Sequence, residues 1–170
     1  GRGPSQILGN VTAPDESARA LSPDDVWAVL TRGELAIEGR LVDASNTTLY
    51  AQACLDAVQL TCVYKPVAGE RPLWDFPDGT LAGREVAAYA VSAAMGWDVV
   101  PPTVMRDGPL GPGMCQLWID VDESVDLLAL LHSDDAALRR VAVFDAVVNN
   151  ADRKGGHLLP TSDGHIFGVD

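Results

Sequence analysis

The sequence is poor in cysteine, in lysine and in long apolar runs, and each shortage narrows the kind of protein it can encode. Three widely spaced cysteines without a CxxC pair indicate neither a disulfide framework nor a zinc site, which is typical of a reducing compartment. The longest apolar stretch, VAAYAVSAAMGW, is shorter than the roughly 20 residues that a membrane span requires. The net charge of −12 disfavours binding to nucleic acid or to anionic lipid. These shortages predict a cytoplasmic protein with no membrane span and no nucleic-acid partner.

Lysine is the scarcer of the two strongly basic residue types. Only Lys65 and Lys154 are lysines among the twelve Lys and Arg residues. Lys65 lies within the apolar run TCVYKPV, where burial of an unpaired ammonium is costly, so the side chain is expected to have an acidic partner. The alternative is a surface lysine whose charged end extends into solvent, and the residue alone does not decide between the two.

The first two thirds of the chain alternate β-prone runs with helix signals. A Gly- and Pro-rich stretch over residues 1–21 predicts a flexible arm, and Ser22 and Gly33 are expected to bound a first helix. Five β-prone runs predict a five-stranded antiparallel sheet: ELAIEGRLVD, LYAQACL, LTCVYKPV, WDVVPPTVM and GMCQLWIDVD. A helix from about Leu81 to Met95, capped by Thr80, is expected between the third run and the fourth.

The last part of the chain is predicted to be mainly helical. The segment VDLLALLH and the stretch SDDAALRRVAVFDAVVNN, which Ser133 is expected to begin, indicate two helices. The segment QLWIDVDES is the predicted hinge. The expected architecture is α+β, with a sheet-plus-helix lobe over residues 22–119 and a partial helical lobe over residues 120–170.

A polar turn, NNADRKGGH at residues 149–157, directly follows the last apolar helix. Asp152 in this turn can accept a proton from a hydroxyl group, while the adjacent basic residues balance phosphate charge. Asp170 ends the run HIFGVD, where a carboxylate at the end of a strand can hold Mg²⁺. His157 is a candidate metal ligand, although a single histidine is more often structural.

Two further groups of residues are candidates for contacts at a nucleotide site. The turn DASNTT at residues 43–48 lies between two predicted strands, where hydroxyl and backbone N–H groups can surround phosphate oxygens, although ordinary polar turns have the same composition. Its candidate residues are Ser45, Asn46, Thr47 and Thr48. Glu85 is the one acid inside the second predicted helix and the expected partner of Lys65, although alone it is more typical of a solvated helix residue.

Longer stretches of the sequence resemble a known family. They are GRLVDASNTT, CVYKPVAGERPLWDFPDGTLAGREVAAY, DGPLGPGMCQLW and VVNNADRKGGHLL, and they are similar to an uncharacterised actinobacterial family described as phosphatidylinositol 3-/4-kinase-like. The order of Lys65, Glu85, the hinge, NNADRKGGH and GVD also resembles the protein-kinase-like fold, in its atypical (HipA-like) branch. The resemblance covers about residues 34–170. It implies a two-lobed protein-kinase-like fold with ATP and Mg²⁺ as cofactors.

The resemblance also implies a role for each matched residue. Lys65 would contact the nucleotide phosphates with Glu85 as its partner, and the DASNTT turn would take the place of a glycine-rich phosphate loop. Asp152 would be the catalytic aspartate, and Asp170 would bind the metal. The adenine pocket would be lined by Gln116, Leu117, Trp118 and Ile119.

Two features depart from the pattern of the family. His157 stands where lipid kinases have a metal-binding asparagine, and its imidazole nitrogen is a softer ligand than Mg²⁺ prefers. The sequence also stops at Asp170, before the segments that complete the second lobe of kinases. The expectation is that either more chain or a second polypeptide completes that lobe.

Three functions remain open from the sequence. The leading hypothesis is an ATP- and Mg²⁺-dependent phosphotransferase whose unidentified phosphate acceptor is a protein hydroxyl group or a soluble small molecule. The second is a pseudokinase, a nucleotide-binding module without transfer activity, which His157 favours. The third is a metal hydrolase, and its ligands would be Asp152, His157, His165 and Asp170.

Overall fold

The computed structural model describes residues 21–41 and 46–170; Ser45 and the predicted arm, apart from Leu21, lie outside the described residues. Within these residues the protein is a mixed α+β structure with a five-stranded antiparallel sheet, a two-stranded hairpin and four α-helices. The helices are α1 (Pro23–Arg32), α2 (Leu81–Met95), α3 (Leu127–Leu131) and α4 (Ala136–Val148). The strands are β1 (Glu34–Arg40), β2 (Leu49–Leu55), β3 (Val58–Pro66), β4 (Thr103–Gly108), β5 (Gly111–Leu117), β6 (Leu158–Pro160) and β7 (Ile166–Gly168).

The large sheet has the strand order β1-β2-β3-β5-β4, and its neighbouring strands are antiparallel. The helix α2 connects β3 to β4, and β5 then returns to lie between them. Gly113 on β5 lies opposite Pro66, and a Cβ atom at residue 113 would lie 2.5 Å from the carbonyl oxygen of Lys65. Only glycine fits this close approach, which fixes the position of Lys65 relative to β5.

The helix α1 covers one face of the sheet and forms a first hydrophobic core with it. The helix begins as predicted, because Ser22 Oγ accepts a hydrogen bond from the Asp25 N–H at 3.1 Å and completes a capping box. Inward side chains of β3, such as Cys62 and Tyr64, are fully buried in this core. Successive strand residues point to opposite faces, so Lys65 projects from the face opposite to Tyr64.

The helix α2 has the predicted limits but a different cap. The sequence predicts Thr80 as the capping residue, whereas the Thr80 hydroxyl donates to the Pro77 carbonyl oxygen at 2.7 Å and makes no cap bond. The carboxylate of Glu70 accepts from the Leu81 N–H at 3.1 Å and from the Ala82 N–H at 2.7 Å instead. Capping patterns in sequence are local, so an acid eleven residues before the helix gives no such signal.

The helix α4 begins later than the sequence predicts. Asp135, and not Ser133, is the cap, because its Oδ1 accepts from the Ala137 N–H at 2.7 Å and from the Leu138 N–H at 3.1 Å. The Ser133 hydroxyl donates to the Leu130 carbonyl oxygen at 2.7 Å and therefore belongs to the end of α3. Both residues are common helix caps, and the turn after α3 decides between them.

A second hydrophobic core involves α4, the β6–β7 hairpin and one side of α2. Its buried residues are Val99, Val100, Val141, Phe144, Leu158 and Ile166. Val99 and Val100 belong to the run WDVVPPTVM, which predicts a longer fourth strand. Pro101 and Pro102 lack the N–H groups that a strand ladder needs, so β4 begins only at Thr103.

The β6–β7 hairpin is an element that the sequence patterns did not predict as a pair. Each of its strands has only three residues, which is shorter than the alternating runs that indicate a strand. The Gly168 N–H donates to the Val99 carbonyl oxygen at 2.7 Å, and the Val169 N–H donates to the His157 carbonyl oxygen at 3.0 Å. These bonds attach the end of the chain to the second core. Within the described ranges, every helix is too short or too polar to cross a lipid bilayer.

Candidate functional site

Lys65 extends from β3 toward α2, where it meets an acidic side chain. Its Nζ atom lies 3.1 Å from Glu85 Oε1 and 3.2 Å from Glu85 Oε2. The two side chains are largely buried, with 15% and 20% of their surfaces exposed. Burial of an ammonium is costly without an acidic partner, and the structure places the Glu85 carboxylate beside Lys65 as that partner.

Asp170 brings a second carboxylate to the same ammonium. Its Oδ1 atom lies 2.5 Å from Lys65 Nζ, although the two residues are 105 positions apart in the sequence. The backbone of Asp170 has a φ of +62°, a left-handed conformation that aspartate adopts more readily than most residues. Two carboxylates thus share one ammonium, and the resulting excess of negative charge favours the approach of a further cation.

Burial and ion pairing have opposite effects on these three groups. Burial raises the pKa of Glu85 above its ordinary value, and the charge of Lys65 offsets only part of this effect. Burial also disfavours the charged form of Asp170, but the nearby Lys65 ammonium holds the pKa of Asp170 below its ordinary value. Burial disfavours the Lys65 ammonium as well, yet the two carboxylates raise its pKa. The lowered pKa of Asp170 and the raised pKa of Lys65 both favour the charged forms, so these two residues form an ion pair.

We expect the contribution of Asp170 to stability to disappear in acid. Because its pKa is lower in the folded protein than its ordinary value of 3.8, Asp170 stabilises the fold above that pH. The contribution is lost as the pH falls through the folded-state pKa. Urea unfolding of the wild type and of Asp170→Asn should therefore give free energies that differ most at about pH 7 and converge in acid. A difference that stays constant down to about pH 2 would contradict the pairing.

The polar turn holds Asp152 at the surface, close in the backbone to Asp170. The Asp152 N–H donates to Asn150 Oδ1 at 3.2 Å, and Asn150 Nδ2 lies 3.4 Å from the carbonyl oxygen of Asp170. The Asp152 carboxylate is exposed, and its Oδ2 atom lies 3.2 Å from Lys154 Nζ. A single amide side chain therefore connects the backbones of the two aspartates that the sequence singles out.

Arg153 does not have the role that the sequence predicts for the basic residues of this turn. The sequence predicts that it balances phosphate charge, but its guanidinium is directed into the protein. Its Nε and Nη2 atoms donate to the two carboxylate oxygens of Asp145 at 3.0 and 2.7 Å, and Nη1 donates to the Val169 carbonyl oxygen at 2.5 Å. Sequence reasoning missed Asp145, although an acid within the apolar run VAVFDAVV is a signal for a buried partner.

His157 fits poorly as a ligand for Mg²⁺. Its Nε2 atom lies 3.9 Å from Asp170 Oδ2, and its Nδ1 atom is buried without a hydrogen-bond partner among the described residues. The described part of the chain contains no group of three or more His, Cys, Asp or Glu side chains arranged to hold a metal. Mg²⁺ that keeps its waters and contacts phosphate needs only one or two protein carboxylates. Asp170 fits that requirement, and the imidazole of His157 does not.

The metal-hydrolase alternative is not supported by this arrangement. His165 Nε2 lies 2.8 Å from the Asp98 carbonyl oxygen, and its ring packs edge-on against Phe167 at 4.4 Å between centroids. All four residues of that hypothesis are described, and they do not form a group able to hold a metal. His165 is therefore a structural residue of the β6–β7 hairpin.

The described part of the DASNTT turn packs against the loop that follows β3. The Thr47 N–H donates to the Gly69 carbonyl oxygen at 3.1 Å, and Asn46 Oδ1 accepts from the Arg71 N–H at 2.7 Å. Thr48 is buried. Because the Thr47 N–H is already bonded, phosphate contacts at this turn would have to come from its other polar groups.

Residues 116–119 lie where the chain leaves β5. Gln116 is buried, and its Nε2 donates to Thr103 Oγ1 at 2.8 Å. The N–H groups of Leu117 and Trp118 donate to carbonyl oxygens of neighbouring segments at 2.9 and 3.0 Å. The predicted backbone contacts to adenine would therefore use other N–H or C=O groups of this segment. The strand also ends at Leu117, earlier than the run GMCQLWIDVD predicts.

A cavity of about 520 Å³ lies between α2, the end of α4 and residues 168–170. Its walls combine the polar groups of Glu85, Gln116 and Asp170 with apolar side chains such as Phe144. The volume is within the range of sites for small molecules. Lys65 and residues 117–119 do not line this cavity, so it covers only the α2 side of the predicted nucleotide site.

Comparison with known proteins shows a relative of this chain but does not indicate an activity. No family model matches the chain. The chain is similar to Protein Rv2133c from Mycobacterium tuberculosis, with 47% identity over an alignment 182 positions long that covers 86% of this chain and 66% of that protein. The chain therefore spans slightly less than two thirds of the length of that relative, whose name states no activity.

Proposed function

We propose that this chain forms the nucleotide-binding part of an ATP- and Mg²⁺-dependent phosphotransferase with a two-lobed, protein-kinase-like fold. The observation that carries the proposal is the shared ammonium, in which Lys65 of β3 meets Glu85 of α2 and Asp170 at the end of the chain. The helix between the third and fourth strands of a five-stranded sheet, together with two separate hydrophobic cores, supports the same fold.

Lys65 would hold the phosphates of ATP. The ammonium is kept charged by its two carboxylate partners, and Glu85 fixes its direction from the α2 side. ATP brings a larger negative charge than one aspartate, so its phosphates can compete with Asp170 for this ammonium. Bound Mg²⁺ would offset charge on the phosphates, and Asp170 is the residue that would hold it.

Asp152 would act on the phosphate acceptor. Its exposed carboxylate can accept the proton of an acceptor hydroxyl while that oxygen attacks the terminal phosphorus of ATP. The bond from this phosphorus to the bridging oxygen breaks, and ADP leaves. The acceptor is a protein hydroxyl or a soluble small molecule, because the net charge of −12 opposes contact with an anionic lipid surface.

The second candidate is a nucleotide-binding module without transfer activity. It is favoured by His157, which stands where the family resemblance predicts a second metal ligand and is a poor partner for Mg²⁺. It is also favoured by the pairing of Asp170 with Lys65, since a metal-binding aspartate must be released from that pair before it can act.

The scarcity of lysine provides a direct test of the phosphate contact. An acyl-phosphate derivative of ATP acylates lysines that lie beside the bound phosphates, and peptide mass spectrometry separates Lys65 from Lys154. We expect acylation of Lys65, although its side chain is only 15% exposed, and we expect ATP to protect it. Lys154 pairs with Asp152, where the terminal phosphate is expected, so ATP should reduce its labelling as well. Labelling of Lys65 that ATP does not reduce would contradict the proposal. Protection of Lys65 with no phosphoryl transfer to any acceptor or to the protein would favour the binding module.

A further inference from the structure

Arg153 and Asp145 form a buried ion pair that is separate from the Lys65 cluster. Their side chains are 16% and 11% exposed, and two parallel N–H···O bonds join them. A bidentate pair of this kind fixes the orientation of both side chains as well as their distance. A third bond, from Arg153 Nη1 to the Val169 carbonyl oxygen, directs the guanidinium at the residue next to Asp170.

Asp145 holds the polar turn by a second route. Its Oδ1 atom also accepts from Asn150 Nδ2 at 3.2 Å, and its backbone carbonyl accepts from the Asn150 N–H at 2.8 Å. Asn150 in turn accepts the Asp152 N–H through its Oδ1 atom. One buried carboxylate of α4 therefore connects to the backbones of Asp152 and Asp170 through Asn150, and to that of Val169 through Arg153.

The fit between Arg153 and the last strand is close. A Cβ atom at residue 168 would lie 3.2 Å from Nη2 and 3.3 Å from Cζ of Arg153, so the guanidinium lies directly against the backbone of Gly168. Nε, Nη1 and Nη2 of this guanidinium all donate within the protein. This arrangement suits a role for Arg153 in fixing the backbone position of Gly168 and Val169.

We infer that Asp145 and Arg153 are positioning residues that hold Asp170 and Asp152 in place for Mg²⁺ and for the acceptor. The inference rests on the proposed function, because it assigns a purpose to the pair only if Asp170 and Asp152 act on a nucleotide. It extends that function to Asp145, which lies outside the predicted site, and it replaces the predicted phosphate contact of Arg153 with a positioning role. Arg153 lines the cavity beside Asp170, but its guanidinium nitrogens donate within the protein.

The inference depends on the shape of arginine and not only on its charge. A lysine at residue 153 would keep the positive charge near Asp145, but it has one nitrogen and cannot bond two carboxylate oxygens and the Val169 carbonyl in the same geometry. Arg153→Lys should therefore keep the fold and loosen residues 168–170, which would then be held by the N–H bonds of Gly168 and Val169 and by Asn150. Arg139→Lys is the matched control, because Arg139, on the first turn of α4, makes an exposed ion pair with Asp134, which precedes the helix.

Two measurements on the wild type, Arg153→Lys and Arg139→Lys test this inference. The first is the ratio of ATP affinities with and without Mg²⁺ from calorimetric titration, and the second is hydrogen–deuterium exchange of residues 166–170 without nucleotide. In Arg153→Lys we expect the Mg²⁺-dependent gain in affinity to fall by about fivefold or more, and exchange to accelerate by about tenfold. Arg139→Lys should match the wild type in both measurements. In an Asp170→Asn background, Arg153→Lys should change the Mg²⁺ effect no further.

Each other outcome identifies which statement is wrong. If Arg153→Lys behaves like Arg139→Lys in both measurements, the pair does not position Asp170. If exchange accelerates while the Mg²⁺ effect is retained, the pair is only structural and the inference is overturned. If the wild type binds no ATP with or without Mg²⁺, the proposed function fails and the catalytic purpose of the pair fails with it. Unchanged exchange in that case would also refute the holding role of Arg153.

Discussion

Replacing Lys65 with methionine is expected to lower phosphoryl transfer by on the order of a hundredfold or more. Methionine retains an unbranched side chain but lacks the ammonium that would contact the phosphates. The substitution should weaken ATP binding as well as transfer, because the lost contact exists before and during the reaction. Single-turnover transfer from labelled ATP, measured at ATP concentrations above and below the dissociation constant, separates the two effects.

The fold is expected to survive this substitution. Loss of Lys65 leaves Glu85 without its cation, but burial already raises the pKa of Glu85, so the carboxyl group can become protonated in place. Asp170 is about half exposed and can be solvated. Arg139→Met is the control, since it removes a positive charge from an exposed pair on α4. Equal transfer by the wild type and Lys65→Met would remove the phosphate-binding role.

The sheet and the helix α2 could be predicted from sequence because their signals are local. Alternating apolar residues define β2 and β3, and Gly96, which adopts a left-handed φ of +66°, ends α2 where the sequence indicates. The acidic partner of Lys65 was also predictable in kind, because the cost of burying an ammonium requires one. Local sequence patterns and the cost of burying a charge are therefore sufficient to predict the sheet, α2 and the Lys65–Glu85 contact.

The rest of the site depends on contacts between distant parts of the chain. The approach of Asp170 to Lys65 follows from the β6–β7 hairpin, whose strands are too short to give a sequence signal. The inward direction of Arg153 depends on Asp145, which precedes it by eight residues on another element. For Asp170 and Arg153 the sequence shows that a charged residue needs a partner, but it does not show which residue the fold will bring near.

The ammonium of Lys65 pairs with two carboxylates at once. In the absence of ligand it neutralises part of the charge of Glu85 and Asp170, which stand close together in a partly buried place. A nucleotide with its metal would change this balance, since phosphate oxygens compete for the ammonium while the metal competes for Asp170. Under the proposed function the cluster would couple the two ligands, and a gain in ATP affinity with Mg²⁺ would be the measurable sign of that coupling.

Replacing Asp152 with asparagine is expected to lower the transfer rate by roughly a hundred- to ten-thousand-fold while leaving ATP affinity nearly unchanged. The Asp152 side chain is 83% exposed and pairs with Lys154, while its backbone N–H holds it to Asn150, so asparagine keeps the shape of the turn and loses only the proton acceptor. Single-turnover transfer at saturating ATP, together with calorimetric titration, measures both quantities.

This pattern differs from that of Lys65→Met and decides between the two proposed functions. Asp134→Asn is the matched control, because Asp134 also makes an exposed ion pair, with Arg139, far from the polar turn in sequence. A protein that binds ATP but transfers phosphate at the same negligible rate with aspartate or asparagine at residue 152 is a binding module. A measurable rate that Asp152→Asn leaves intact would instead mean that another group accepts the proton. Only a selective loss of rate assigns the proton to Asp152. A structural defect in the turn would also disturb Asn150 and Asp170, and would therefore weaken the Mg²⁺-dependent binding proposed for Asp170.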